Sequence, residues 1–304
     1  MFYLPEGMLR QQPDNDAILS SRETLKIAAQ SERILEATAI RCDENHNLIV
    51  SLPNHGVGKI PREEGAIGIR EGTTRDIAMI SRVNKPVSFV VIGFESDGMP
   101  VLSRRRAQEL CQKHYLDHLR PGDVIPAIAT HLEGYGSFVD IGCGIPSLIP
   151  IDAISISRIS HPKDRFRSGQ QLHVVVKSIE PSGRICLSHK ELLGTWNENV
   201  VDFHPGETVC GIVRSVEPYG IFVELAPNLA GLAEYKPDVF VGQSASVYIK
   251  SLIPEKMKIK LIIVDSFDTQ TPEIPLRYYI TDGHISRWRY SPENCCKTIE
   301  SRFE

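Results

Sequence analysis

The sequence predicts a mainly β protein of three tandem five-stranded barrels joined by short helices, ending in a β-hairpin tail. Three observations carry that prediction. Pro205 to Leu232 lies on Pro121 to Leu148 without a gap, matching Gly122/Gly206, Ile128/Ile212, Glu133/Glu217, Tyr135/Tyr219, Gly136/Gly220, Phe138/Phe222 and Val139/Val223. Each copy reads as a β-branched strand (Val209 to Val216), a tight break (Pro218-Tyr219-Gly220) and a second strand in period-two alternation (Ile221 to Leu225). A third, degraded copy lies upstream, with Asp97-Gly98 standing where Ser182-Gly183 turns the next copy.

In chain order, residues 1–33 are an extension and a helix. The stretch to about residue 19 is polar, contains Pro5 and Pro13, and is expected to hold little structure; Ser20 and Glu23 have capping-box spacing for a helix through Ile34. Residues 34–119 form the first barrel and its linker: strands at Ala37 to Arg41, Leu48 to Leu52, Val57 to Pro61, Val87 to Phe94 and Pro100 to Ser103, then a helix over Ser103 to Leu119. Arg104 to Arg106 open that helix, either as a solvated start or as a phosphate contact. Residues 120–203 form the second barrel, whose loop over Ile154 to Gly169 carries Arg158, Lys163, Arg165 and Arg167, and end in a linker in which Trp196 reads as a packing residue. Residues 204–265 form the third barrel. The tail, 266–304, suggests a hairpin of Leu276 to Ile280 and Ile285 to Tyr290 about Asp282-Gly283. Its Tyr278, Tyr279, Trp288 and Tyr290 interleave with Arg277, Arg287 and Arg289; they either cover an exposed barrel flank or stack on bases.

Tyr-Gly-x-Phe-Val-Asp/Glu, a Leu some ten residues on, and Gly183-Arg-Ile-Cys-Leu-Ser188 together resemble the S1-type RNA-binding domain, an OB-fold. The resemblance spans about residues 34 to 265 and is strong for the second and third copies. It implies a face on which Tyr135 and Phe138, and again Tyr219 and Phe222, stack on bases, with Arg184 and its aligned counterpart Lys258 reaching phosphate. The competing reading puts the same rings in the barrel core, although that does not explain an aromatic turn residue in both copies. Gly136 and Gly220 are expected where the backbone bends or strands approach closely. The first copy departs, with His46, Ile49 and Met99 at the positions of Tyr135, Phe138 and Arg184. A family histidine is replaced by Pro150 and Glu234, and the acidic position before the cation is Glu180 in one copy but Ile253 in the other.

Composition narrows the function. A net charge of −4 excludes a protein that coats phosphate by bulk charge, so nucleic-acid contact must be local. Seven scattered cysteines without CxxC argue against disulfide and zinc frameworks and suit a reducing cytoplasm. Neither a secretory signal nor an apolar run of membrane-spanning length is read, so a soluble chain that is not exported is expected. No GxSxG, Walker loop, HExxH or dinucleotide fingerprint occurs. His131, His173, His189 and His204 lack a spaced carboxylate or cysteine partner, so no enzyme and no cofactor is expected. The reading is a cytoplasmic single-stranded RNA-binding protein of the ribosomal S1 type. It would bind mRNA, and the resemblance implies that the first barrel docks on the small ribosomal subunit or on another protein. The alternative is a protein-interaction scaffold with incidental RNA binding.

Overall fold

The protein is described by a computed structural model over residues 3–53, 56–268 and 275–304. Parts of the predicted extension (1–2) and of the predicted tail (269–274) lie outside the described residues. Side chains two apart on a strand share a face, so each alternating segment buries one row and must close on others to shelter it. In the first copy β1 (Leu35–Cys42), β2 (Leu48–Leu52), β3 (Gly56–Ile60), β4 (Pro86–Phe94) and β5 (Pro100–Ser103) close around Ala37, Val50, Ile60, Phe89 and Leu102. The second copy closes β6 (Val124–Glu133), β7 (Gly136–Asp140), β8 (Pro146–Pro150), β9 (Gln171–Ile179) and β10 (Ile185–Ser188) around Val139, Ile149, Val174 and Leu187. The third closes β11 (Thr208–Glu217), β12 (Gly220–Ala226), β13 (Leu229–Ala233), β14 (Ser244–Ile253) and β15 (Lys258–Phe267) around Ile221, Val223, Val247, Ile249 and Leu261.

All three barrels share one order, first-second-third-fifth-fourth, with the third and fifth strands parallel. The predicted fold class stands: three closed, OB-like five-stranded barrels and a C-terminal strand pair. One compact unit comprises the chain to Leu119 with Pro126–Ile128 and Asp140–Pro146. A second comprises Arg120–Ile125, Ala129–Val139 and the chain from Ser147.

The N-terminal segment differs from expectation. Leu9–Gln11 makes a 3-10 turn and Pro13–Leu19 a helix, α1, with Leu9 and Leu19 buried. Proline at the first helical position gives up only an N–H that would be unpaired anyway. Arg22–Gln30 forms α2, capped by Ser21, not Ser20: the Ser21 hydroxyl accepts the Thr24 N–H at 3.2 Å. A short α3 (Ile77–Ile80) follows β3, and α4 (Arg104–His114) is capped by Ser103.

The basic opening of α4 is spent on carboxylates: Arg104 is withdrawn from solvent, while Arg105 and Arg106 stay partly exposed. Arg104 is buried and clasps Glu6 at 2.6 Å, Arg105 binds Glu64 and Glu109, and Arg106 holds Glu32 at 2.7 Å. Glu6 also takes Arg82 at 3.0 Å and the Ser88 N–H, while its own N–H donates to Asp140 at 2.7 Å. Burial pushes the Glu6 carboxyl up, but Arg104 and Arg82 outweigh it and hold the group below its ordinary range. The segment read as loose is therefore the acidic plug of the first unit.

The tail also differs. Residues 276–280 form no strand; the Tyr279 N–H donates to the Leu192 carbonyl, and Val124 donates to Gly283. Arg287–Arg289 (β16) pairs instead with Glu300–Arg302 (β17), so the hairpin exists with a different partner strand. Trp288 and Tyr290 sit in the core shared by the second and third copies, with Tyr278 packed at its edge. Trp196, on α5 (Trp196–Val200), joins that core, as its packing role requires.

Candidate nucleic-acid interface

Each predicted ring pair is built by a turn feeding a strand. Gly136 permits the first: a Cβ there would lie 2.5 Å from the Ile149 carbonyl oxygen, so β7 and β8 approach more closely than any side chain allows. Gly220 repeats this, 2.5 Å from the Ala233 oxygen, with φ at +149°. The tight entry throws the preceding tyrosine outward. Tyr135 is 59% and Tyr219 68% exposed, whereas Phe138 and Phe222 are half-buried on the barrel surface. The rings of Tyr135 and Phe138 lie 6.1 Å apart at 89°, and those of Tyr219 and Phe222 6.2 Å apart at 86°. An edge-to-face pair of this kind supports each ring while leaving a tyrosine face open to solvent.

Strand register, carried from the aligned Leu148 and Leu232, places the cations. Leu148 is paired with Cys186 and Leu232 with Lys260, which puts Arg184, just before β10, and Lys258, the first residue of β15, at equivalent places two residues earlier. Both are exposed, and among the described residues neither makes an ion pair with a carboxylate. In the second barrel the Glu180 N–H meets the Arg184 carbonyl at 2.9 Å, and in the third Ile253 faces Lys258. Lys260, which the sequence reading passed over, stands beside Leu232, itself opposite Phe222. The alternation Lys258-x-Lys260 was the signal for it.

The first barrel lacks this arrangement. His46 pairs with Asp76 at 3.2 Å, Ile49 is buried, and Lys59 is held by Glu95 at 3.0 Å. Of the basic loop in the second copy, Arg165 is not a surface cation either: it is buried against Glu224 at 2.7 Å, and Glu224 also takes Arg214. The tail cations are occupied too, Arg287 by Glu300 at 2.7 Å, Arg277 by Asp202 at 2.9 Å and Arg289 by the Pro292 and Glu293 carbonyls. His189 is buried; its Nδ1 lies 2.8 Å from the Ile154 carbonyl and its Nε2 2.9 Å from the Tyr278 hydroxyl. Nδ1 therefore carries the proton, and Nε2 accepts from Tyr278. Among the described residues no helix is long and apolar enough to cross a membrane, and no cluster of His, Cys, Asp and Glu could hold a metal ion.

The family model of the S1 RNA binding domain matches residues 118–190. A small ribosomal subunit protein bS1 homolog of Bacillus subtilis is 30% identical over 191 residues, covering 60% of this chain and 48% of its own. Small ribosomal subunit protein bS1 of Staphylococcus epidermidis is 36% identical over 138 residues, covering 43% of this chain and 35% of its own. The chain thus spans less than half the length of these curated relatives. Among solved structures, a multidomain protein with nucleic acid binding domains from Streptococcus pneumoniae is 14% identical with a TM-score of 0.25, covering 78% of this chain and 75% of that one. Residues 118–190, which hold the first of the two ring pairs, match the model of the S1 RNA binding domain, and the chain that carries them is similar to the bS1 proteins of the small ribosomal subunit.

Proposed function

We propose that the chain binds single-stranded RNA, mRNA in particular, through the second and third barrels without a chemical step. Tyr135 and Phe138, and Tyr219 and Phe222, would receive bases, while Arg184 and Lys258 reach the backbone. The observation that carries this is the repetition: two barrels of different sequence hold the same edge-to-face pair, tyrosine open to solvent, with an exposed cation at the entry to the fifth strand that makes no ion pair among the described residues. Unstacked bases present flat faces and a charged backbone, and rings beside cations meet both, at about 1–3 kcal/mol per stacked base. Two modest sites on one chain would add through effective concentration. The first barrel, with its surface cation neutralised by Glu95, is assigned instead to docking on the small ribosomal subunit, and the setting is cytoplasmic.

Fluorescence anisotropy with a labelled single-stranded oligoribonucleotide tests the face. Changing Tyr135, Phe138, Tyr219 and Phe222 together to Ala should weaken binding by at least about tenfold, one ring's worth of stacking. Unchanged affinity would mean that the barrels serve protein contacts and that RNA binding is incidental. Crosslinks to small ribosomal subunits should map within residues 35–103; crosslinks confined to the third barrel would refute the docking role.

A further inference from the structure

At one register position the three barrels part company. The outward-facing pair linking fourth and fifth strands is Val90↔Ser103 in the first, Val175↔Ser188 in the second and Tyr248↔Ile262 in the third. Val90 is 1% and Val175 0% exposed, because the chain turns from each serine into a helical segment lying over the fourth strand, α4 on β4 and Lys190–Leu193 on β9. Small residues at both places let those segments seat closely. In the third barrel β15 continues as strand, with a bulge at Val264, through Asp265 to Phe267. Tyr248 is left 37% and Ile262 47% exposed, with Val264 and Phe267 also exposed. Phe240 and Val241 are exposed on the loop that leads into β14. Gln243 ties their loop to the strand end, accepting the Phe240 N–H at 2.9 Å and donating to Asp268 at 3.1 Å. A contiguous apolar surface of this kind on an otherwise well-formed barrel marks an interaction site.

Size and charge together select the occupant. Tyr and Ile in place of Val and Ser fill the seat that a helix would need. They match instead the separation of about 10 Å between two sheets packed face to face, where large side chains interdigitate. Along the same outward row the charges are polar: Lys258, Lys260 and the bulged Lys250 lie at one end and Asp265 at the other, with the Ser251↔Lys260 and Ser246↔Asp265 pairs framing Tyr248↔Ile262. A two-fold rotation about that central pair lays the lysine end of one copy on the aspartate end of another, the self-complementarity an isologous contact requires.

We propose that this flank is a self-association surface on which two copies of the chain pack their β14–β15 faces in opposite directions, Tyr248 and Ile262 at the centre and Lys260 of each against the partner's Asp265. The proposal does not rest on the RNA-binding reading. It is tested by sedimentation equilibrium of the full chain, freed of RNA by nuclease, over about 1–200 μM, the range in which a small interface is populated. The mass should rise with concentration from one chain towards two. Ile262→Asp should weaken association by at least about tenfold, as should Lys260→Asp or Asp265→Lys alone. The double exchange Lys260→Asp/Asp265→Lys should restore it to within about threefold of the wild type, a recovery that misfolding cannot imitate. A single-chain mass at every concentration, association that survives Ile262→Asp, or a double exchange as weak as the single ones would overturn the proposal.

Discussion

At the scale of single residues, the two glycines that enter the ring-bearing strands make the sharpest demand. Alanine at Gly136 puts a methyl group 2.5 Å from a backbone carbonyl, which cannot swing aside as a side chain would. We expect Gly136→Ala to cost about 1–3 kcal/mol in urea denaturation. Gly220→Ala should cost more, since φ of +149° adds backbone strain to the same contact. Equal losses at the two sites would show that the strain contributes nothing. Glu224 is the opposite case, a buried charge serving Arg165 and Arg214. Glu224→Ala should destabilise by about 3–5 kcal/mol, because two guanidinium groups lose their counter-charge in the interior. The glycines and the rings were legible in the sequence because their constraints are local: a turn, a strand and the next residue of the same face. The fates of Arg104 and Arg165 were not. Arg104 finds Glu6 across 98 positions of chain and Arg165 finds Glu224 across 59, and nothing in a local window separates a cation that will be buried from one that will meet solvent.

At the scale of elements, the barrel strands followed their alternation, while the two ends of the chain did not follow theirs. The expected hairpin over 276–290 fails because its first arm donates the Tyr279 N–H to the Leu192 carbonyl and its turn accepts the Val124 N–H at Gly283, leaving Trp288 to pair with Ser301. Tertiary partners displaced a local one, and composition carries no trace of that. The tail is thus a clamp: the Tyr290 hydroxyl donates to the Asn228 carbonyl, Tyr279 donates to Glu198 at 3.0 Å, and Tyr278 packs against His173 and His189. Trp288→Ala should cost about 3–5 kcal/mol, the usual loss for a large buried aromatic. Arg287→Gln, by contrast, gives up a surface pair worth about 1 kcal/mol or less and should leave RNA affinity within about twofold. A larger drop in affinity from that substitution would return the tail to the nucleic-acid interface.

At the scale of the whole molecule, the two compact units carry buried titratable groups of opposite sense. In the first, burial and then the Glu6 charge raise Asp140 to about 7, against the pull of the Glu6 and Gly142 N–H groups. Burial likewise raises Glu36 to about 7, opposed by the Gly7 N–H. Both folded values lie above the unfolded carboxylate range of about 4, so the folded unit holds these protons more tightly. Their contribution is complete below about pH 4 and is lost as pH rises through 7. In the second unit, burial lowers His189 to about 4, below the unfolded value of about 6.5. Its contribution is present above pH 6.5 and is lost as pH falls towards 4. Acidification from about pH 7.5 to 5.5 should therefore stabilise the first unit and weaken the second. The sequence provides a reporter, since both tryptophans, Trp196 and Trp288, belong to the second unit. The thermal midpoint followed by tryptophan fluorescence should fall over that range, while a calorimetric transition silent in fluorescence should rise. Glu36→Gln should flatten the rising transition and leave the fluorescent one unmoved. If both transitions moved the same way, the protonation states assigned to Asp140, Glu36 and His189 would be wrong, and with them the tautomer that lets Tyr278 hold the tail in place.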